Sequence, residues 1–170
     1  MTVVIANIVS LLGCTLMVLI GFIKNKDKIL KAQILQFCLM GISNFMLGGI
    51  GGAVANFLSI FRNIYISKRP CTAKVKLVFI FLQIALSVAA VSLNPITWFP
   101  IINTVLFTWY IDTKNIIWFK SIIIFTLVLW GIYDIYHLNY VSAAFDVFTV
   151  ASTGYSILKI KGAQKVVENK

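Results

Sequence analysis

Seven apolar runs divide this 170-residue chain, at residues 3–23, 31–47, 49–67, 76–93, 97–111, 115–136 and 140–159. About 20 apolar residues wound as a helix cross the roughly 30 Å hydrocarbon core of a bilayer with every backbone group paired. The breaks between the runs are of two kinds. KNKDKILK, KRPCTAKVK and DTK are charged, whereas GGIGG, NPIT and HLNY are neutral turns. Composition agrees: 60% of residues are hydrophobic and 12% are charged, against about 25% charged in a soluble domain. The reading is an all-α membrane protein with seven transmembrane helices.

Charge then orients the chain, because short loops rich in Lys and Arg stay in the cytoplasm. With the N-terminus outside, loops 24–31, 68–76 and 112–114 and the tail from Lys159 are cytoplasmic. All 15 Lys and Arg residues then lie in or close to one of these regions. The outer loops hold none, and the C-terminus is cytoplasmic. The formal net charge of +10 therefore reports topology, and no nucleic-acid partner is expected. Trp98 at the outer edge and Trp109 and Trp118 near the inner edge fit the aromatic belts of a protein whose constant partner is the lipid bilayer.

Catalytic chemistry is absent from the pattern. There is one histidine, no serine with a plausible base and no phosphate loop, so no enzyme, no cofactor and no metal are expected. Cys14 and Cys38 lie inside apolar runs and Cys71 in a basic loop, without disulfide or zinc-ligand spacing. No basic residue precedes the first apolar run, so a cleavable signal is not expected.

Seven spans with ends on opposite sides suggest two three-span units of the same orientation around a linker span. Sliding the chain on itself by 90 residues aligns Lys24 with Lys114, Asn25 with Asn115, Gly41 with Gly131, Ala53 with Ala143 and Tyr65 with Tyr155. The polar positions carry more weight. Gly52, Asn56, Ser59 and Asn63 share one helical face, and Ser142, Asp146, Thr149 and Thr153 repeat that spacing at the same offset. Gln36, Met40 and Asn44 likewise answer to Thr126, Trp130 and Asp134. The expected organisation is a first repeat over 1–67, a linker helix with its loops over 68–96, a second repeat over 97–161 and a tail over 162–170. Parallel three-span repeats with a solute site near the midplane are a transporter plan.

The 3+1+3 plan resembles the SWEET, PQ-loop and PnuC superfamily of small transporters. More closely, GGIGGAVANFLSIFRN, with KAQ upstream, is similar to the YgjV family of bacterial inner-membrane proteins. Gly48 to Ala53 stands where that family has a small-residue turn, followed by Asn56 and the Arg62-Asn63 pair. The resemblance implies a multi-pass protein of the bacterial inner (plasma) membrane. It also implies that Asn56 lies in a substrate cavity, since SWEET-like transporters place paired asparagines on the third helix of each repeat. The mate of Asn56 here is Asp146, a departure from the sugar-carrying pattern.

Six residues are candidates for binding a solute: Asn56, Asp146, Asn44, Asp134, Trp130 and Arg62. Asp134 and Asp146 are the acidic residues inside the runs, and intramembrane carboxylates mark function because burying charge is expensive. Asp146 can act as a proton site or as counter-charge for a cation; Asp134 lies close enough to the outer surface to be hydrated. Arg62 can snorkel to the inner boundary, contact an anion or pair with an acid. Trp130 can stack on a solute ring or simply pack. His137, at an outer turn, is expected to be solvated. The favoured reading is a transporter or facilitator of a small polar or cationic solute by alternating access, with room for a homo-oligomer. The alternative is a receptor-like binder or accessory subunit on the same scaffold.

Overall fold

A computed structural model describes residues 2–90 and 95–168 of the chain. Among these residues the fold is all-helical: α1 (Thr2–Phe22), α2 (Lys26–Met46), α3 (Ile50–Lys68), α4 (Ala73–Ala90), a 3-10 turn (Pro95–Thr97), α5 (Trp98–Tyr110), α6 (Ile116–Tyr136) and α7 (Tyr140–Glu168). Residues 91–94 of the expected linker region and 169–170 of the expected tail lie outside the described residues.

Local chemistry sets the helix ends. Asn25 caps α2 by accepting from the Lys28 amide, and Asn115 caps α6 by accepting from the Ile117 and Trp118 amides. Each cap satisfies donors that an α-helix leaves open. This starts α2 at Lys26, ahead of the expected boundary at 31. At the other ends Gly48 takes φ +76° and Leu138 φ +59°, so both helical hairpins turn through a left-handed residue. Glycine does this freely; leucine does so under strain. The last helix differs from expectation. It does not end at residue 159: α7 continues through Gly162 to Glu168, with Ala163 and Gln164 favouring helix.

Five helices are long and apolar enough to cross a membrane: α1, α2, α4, α6 and α7 through Gln164. Two expected spans fall short of that standard for different reasons. The 13 residues of α5 make it short, and α3 spends its helical face on Asn56, Ser59, Arg62 and Asn63, all buried.

Helices consecutive in the chain run antiparallel, so the two left-handed turns share one end of the bundle and the lysine-bearing loops share the other. α1 packs between α2 and α7, whereas α5 packs on α6 and α3. α4 lies across α3 and α5, burying only Gln83 and Ser87, which bond to each other. At the lysine-rich end Ile20, Ile29, Leu30, Phe107, Ile111 and Phe119 form the buried apolar cluster. Lys76 clamps the neighbouring surface, 2.6 Å from Asp112 and 2.8 Å from the Trp109 carbonyl oxygen. At the turn end the interior is polar. The Ser10 and Ser43 hydroxyls are 2.8 Å apart, Ser43 donates to the Ala6 carbonyl and Ser10 to Asn139 Oδ1. Side-chain hydrogen bonds hold helices together in lipid, where apolar burial between helices gains little.

Candidate functional site

Between the apolar cluster and the polar end lies a cavity with room of about 80 Å³ for the centres of water molecules, enough for several waters or one small solute. It is lined from α1, α2, α3, α5, α6 and α7. All six candidate residues, Asn44, Asn56, Arg62, Trp130, Asp134 and Asp146, face it. The helical spacing of the polar stripes brings them together, because residues three and four apart project from one side of a helix.

Their states differ. Asn56 is turned back on its own helix and donates to the Gly52 carbonyl at 2.9 Å. Asn44 is fully buried, and neither its amide nitrogen nor its amide oxygen has a partner. Asp146 is 4% exposed, and its Oδ2 has none either. Such groups are expensive in a dry interior and mark a place where a ligand or water completes the bonding. Trp130 stands edge-on to Tyr133, with ring centroids 5.5 Å apart, and lines the cavity with its remaining surface.

Two candidates are placed differently from the sequence reading. Asp134 is 1% exposed instead of hydrated: Ser142 donates to its Oδ2, and Asn139 Nδ2 lies 3.5 Å from its Oδ1. Arg62 does not snorkel. It is 2% exposed and turns inward, its Nη1 donating to Thr108 Oγ1 at 2.9 Å and its Nε to Asn63 Oδ1 at 3.2 Å. The Phe107 ring covers the guanidinium at 4.7 Å. Asn63 is anchored in turn, donating to the Leu30 carbonyl and to Gln33 Oε1. His137 is half-buried, its ring 4.5 Å from that of Tyr133, and burial pushes its pKa below the usual histidine value.

Sequence reasoning missed Lys120, Tyr133 and Asn139. Lys120 lines the cavity near its lysine-rich end, is 1% exposed and donates to the Gly21 carbonyl at 2.9 Å. The signal was a lone cation inside an apolar run, the same one that singled out Arg62. Tyr133 continues the face of Thr126 and Trp130. Asn139 is the cap residue before α7, accepting from the Ser142 amide. The cavity thus carries two acidic and two basic side chains. Among the described residues none of the four pairs with another, and the ion pair present is Lys76 with Asp112.

A bundle of membrane-crossing helices around a buried, charged cavity defines a multi-pass membrane protein with an internal polar site. The chain belongs to the Imp-YgjV family of bacterial inner membrane proteins, whose model matches residues 4–164, and it resides in that membrane. No curated protein and no solved structure matches it.

Proposed function

We propose that this protein is a transporter or facilitator for a small polar or cationic solute. It works by alternating access between two parallel three-helix units, α1–α3 and α5–α7, joined by α4. In this reading all seven helices cross the membrane, in the 3+1+3 plan of SWEET-like transporters, with the N-terminus outside and the lysine-rich end in the cytoplasm. The observation that carries it is the cavity itself, which polar residues at corresponding places of both units line, and in which Asn44 of one unit and Asp146 of the other have polar atoms without partners.

Asn44 and Asp134, Asn56 and Asp146, Ser59 and Thr149, and Met40 and Trp130 stand 90 residues apart and face the same cavity. The helix ends support the pairing. α2 and α6 begin and end 90 residues apart, as do their caps Asn25 and Asn115 and the left-handed residues Gly48 and Leu138. The packing of α1 on α7 has its counterpart in that of α5 on α3. A solute held at such a seam is exposed to one side or the other as the units rock. This role asks for no chemistry on the solute, and we assign no enzymatic step.

Accessibility tests the proposal without knowledge of the solute. Ser59→Cys and Thr149→Cys are placed singly in a chain whose Cys14, Cys38 and Cys71 are replaced by serine. Right-side-out and inverted vesicles are then treated with a membrane-impermeant thiol reagent. Alternating access gives labelling of both positions from both faces. Labelling from one face alone points to a receptor-like binder, and none from either face to a dry structural seam.

A further inference from the structure

The charges in the cavity are divided by their bonding. Asp134 has two side-chain donors, and Lys120 has a carbonyl in the last turn of α1, the negative end of a helix dipole. Both are provided for by the protein. Asp146 and Arg62 are not. The carboxylate of Asp146 has an oxygen with no partner, and the Arg62 guanidinium meets only two neutral oxygens and an aromatic face. Uncompensated buried charges of either sign are costly, and these two could cancel each other by pairing. They are held apart instead.

The geometry of the helices sets their separation. Asp146 is one turn along α7 from Ser142, which meets Asp134 near the turn end, whereas Arg62 meets Thr108 near the far end of α5. In the α3 register, six residues separate Arg62 from Asn56, the counterpart of Asp146, about 9 Å along the axis. Hydrogen bonds of about 2.8 Å at both ends leave only a few ångströms between the opposite charges of a bridging molecule.

Resting on the reading of this cavity as a solute site, we propose that its ligand is a small zwitterion. Its ammonium end meets Asp146 and its carboxylate end meets Arg62, with Asn44 supplying a further donor and acceptor. Net neutrality makes such a ligand the one that compensates both charges at once. A simple cation would leave Arg62 unanswered, and a simple anion would leave Asp146. A cavity of about 80 Å³ for water centres limits the ligand to roughly ten heavy atoms or fewer.

A molecular ruler tests this. Purified full-length protein in lipid nanodiscs is titrated with glycine, 3-aminopropanoate, 4-aminobutanoate and 6-aminohexanoate, and with butylamine, butanoate and xylitol, following thermal stabilisation. The expected result is an optimum within the zwitterion series, with the best member binding at least about tenfold more tightly than butylamine or butanoate. Asp146→Asn should remove the advantage of the zwitterion over the acid, and Arg62→Gln its advantage over the amine. The comparison within the parent protein decides the matter even if a variant fails to fold. Butylamine binding as tightly as the best zwitterion overturns the inference and leaves a cation carrier standing. A response to xylitol alone overturns it in favour of a neutral solute. No response to any compound, in protein whose cavity labels from both faces, also overturns it while sparing the transport reading.

Discussion

The Tyr133 hydroxyl oxygen lies 2.8 Å from the amide nitrogen of Gly52 and accepts its hydrogen. In α7 the equivalent amide, that of Ser142, is served by the cap residue Asn139. The cap position of α3 is Gly49, which has no side chain to offer, so α6 supplies the missing oxygen. The ring fits only because Gly52 is bare: a Cβ there would lie 2.8 Å from Tyr133 Cε1 and 3.0 Å from Asn44 Nδ2. Tyr133→Phe leaves a buried amide unpaired and should lower unfolding stability by about 1–3 kcal/mol. Gly52→Ala should lose a similar amount through overpacking. Gly154→Ala, where an added Cβ meets nothing within 4 Å, serves as control and should lose none. Thermal unfolding in detergent reads all three.

The two hairpin turns make a second prediction. Leu138 holds φ +59° with its side chain exposed, and Gly48 holds φ +76° with open space where its Cβ would be. Substitution at either place therefore acts through the backbone alone. Leu138→Asn should raise stability by about 0.5–1 kcal/mol, since asparagine tolerates the left-handed region, and Gly48→Leu should lower it by about 1–2 kcal/mol. Denaturation midpoints of the two variants should move in opposite directions.

Thr108, on α5, accepts a hydrogen bond from Arg62 and holds it in place. Thr108→Val keeps the shape and removes the acceptor of a charge-assisted bond, so about 1.5–3 kcal/mol should be lost. Thr104→Val, one turn earlier on α5 where Thr104 lines the cavity, has no ionic partner to strand and should have the smaller effect. Equal losses would mean that Arg62 gains nothing from Thr108.

His137 follows Tyr136 at the end of its membrane-crossing segment, and burial lowers its pKa below the ordinary value of about 6.5. Above that pH the ring is neutral in folded and unfolded chains alike, and its full contribution is present. As pH falls, the unfolded chain takes up a proton that the folded chain resists, so stability is lost. The parent protein should lose more stability between pH 7.5 and 5.5 than His137→Gln, whose side chain does not titrate. Equal losses would place the acid sensitivity elsewhere.

The six candidate residues were legible because membrane helices hide polar groups on one face, and a face is a matter of spacing along the chain. The caps Asn25 and Asn115 are equally local, yet the apolar pattern alone starts the second run at 31 and passes over the cap that begins α2 at Lys26. Long-range pairings leave no such trace. Nothing in the run around Arg62 points to Thr108, 46 positions further on, and nothing near Gly52 points to Tyr133. The count of residues to the turn puts Asp134 close to water, but it carries no sign that Ser142 and Asn139 fold back over the carboxylate. The sign of Lys120 orients the chain, but its burial leaves no mark on the residues around it in sequence.

The polar face of α3 also has a consequence for how the protein is made. A helix carrying Asn56, Ser59, Arg62 and Asn63 is a poor passenger on its own, and the oxygen that anchors Arg62 on α5 is synthesised later. The tight turn at Leu47–Gly49 answers part of this difficulty by delivering α3 already laid against α2, where Asn63 finds Gln33 and the Leu30 carbonyl at once. The α2–α3 hairpin is therefore only half-provided by itself: Asn63 is bonded within it, whereas Arg62 gains its Thr108 partner from a helix further along the chain.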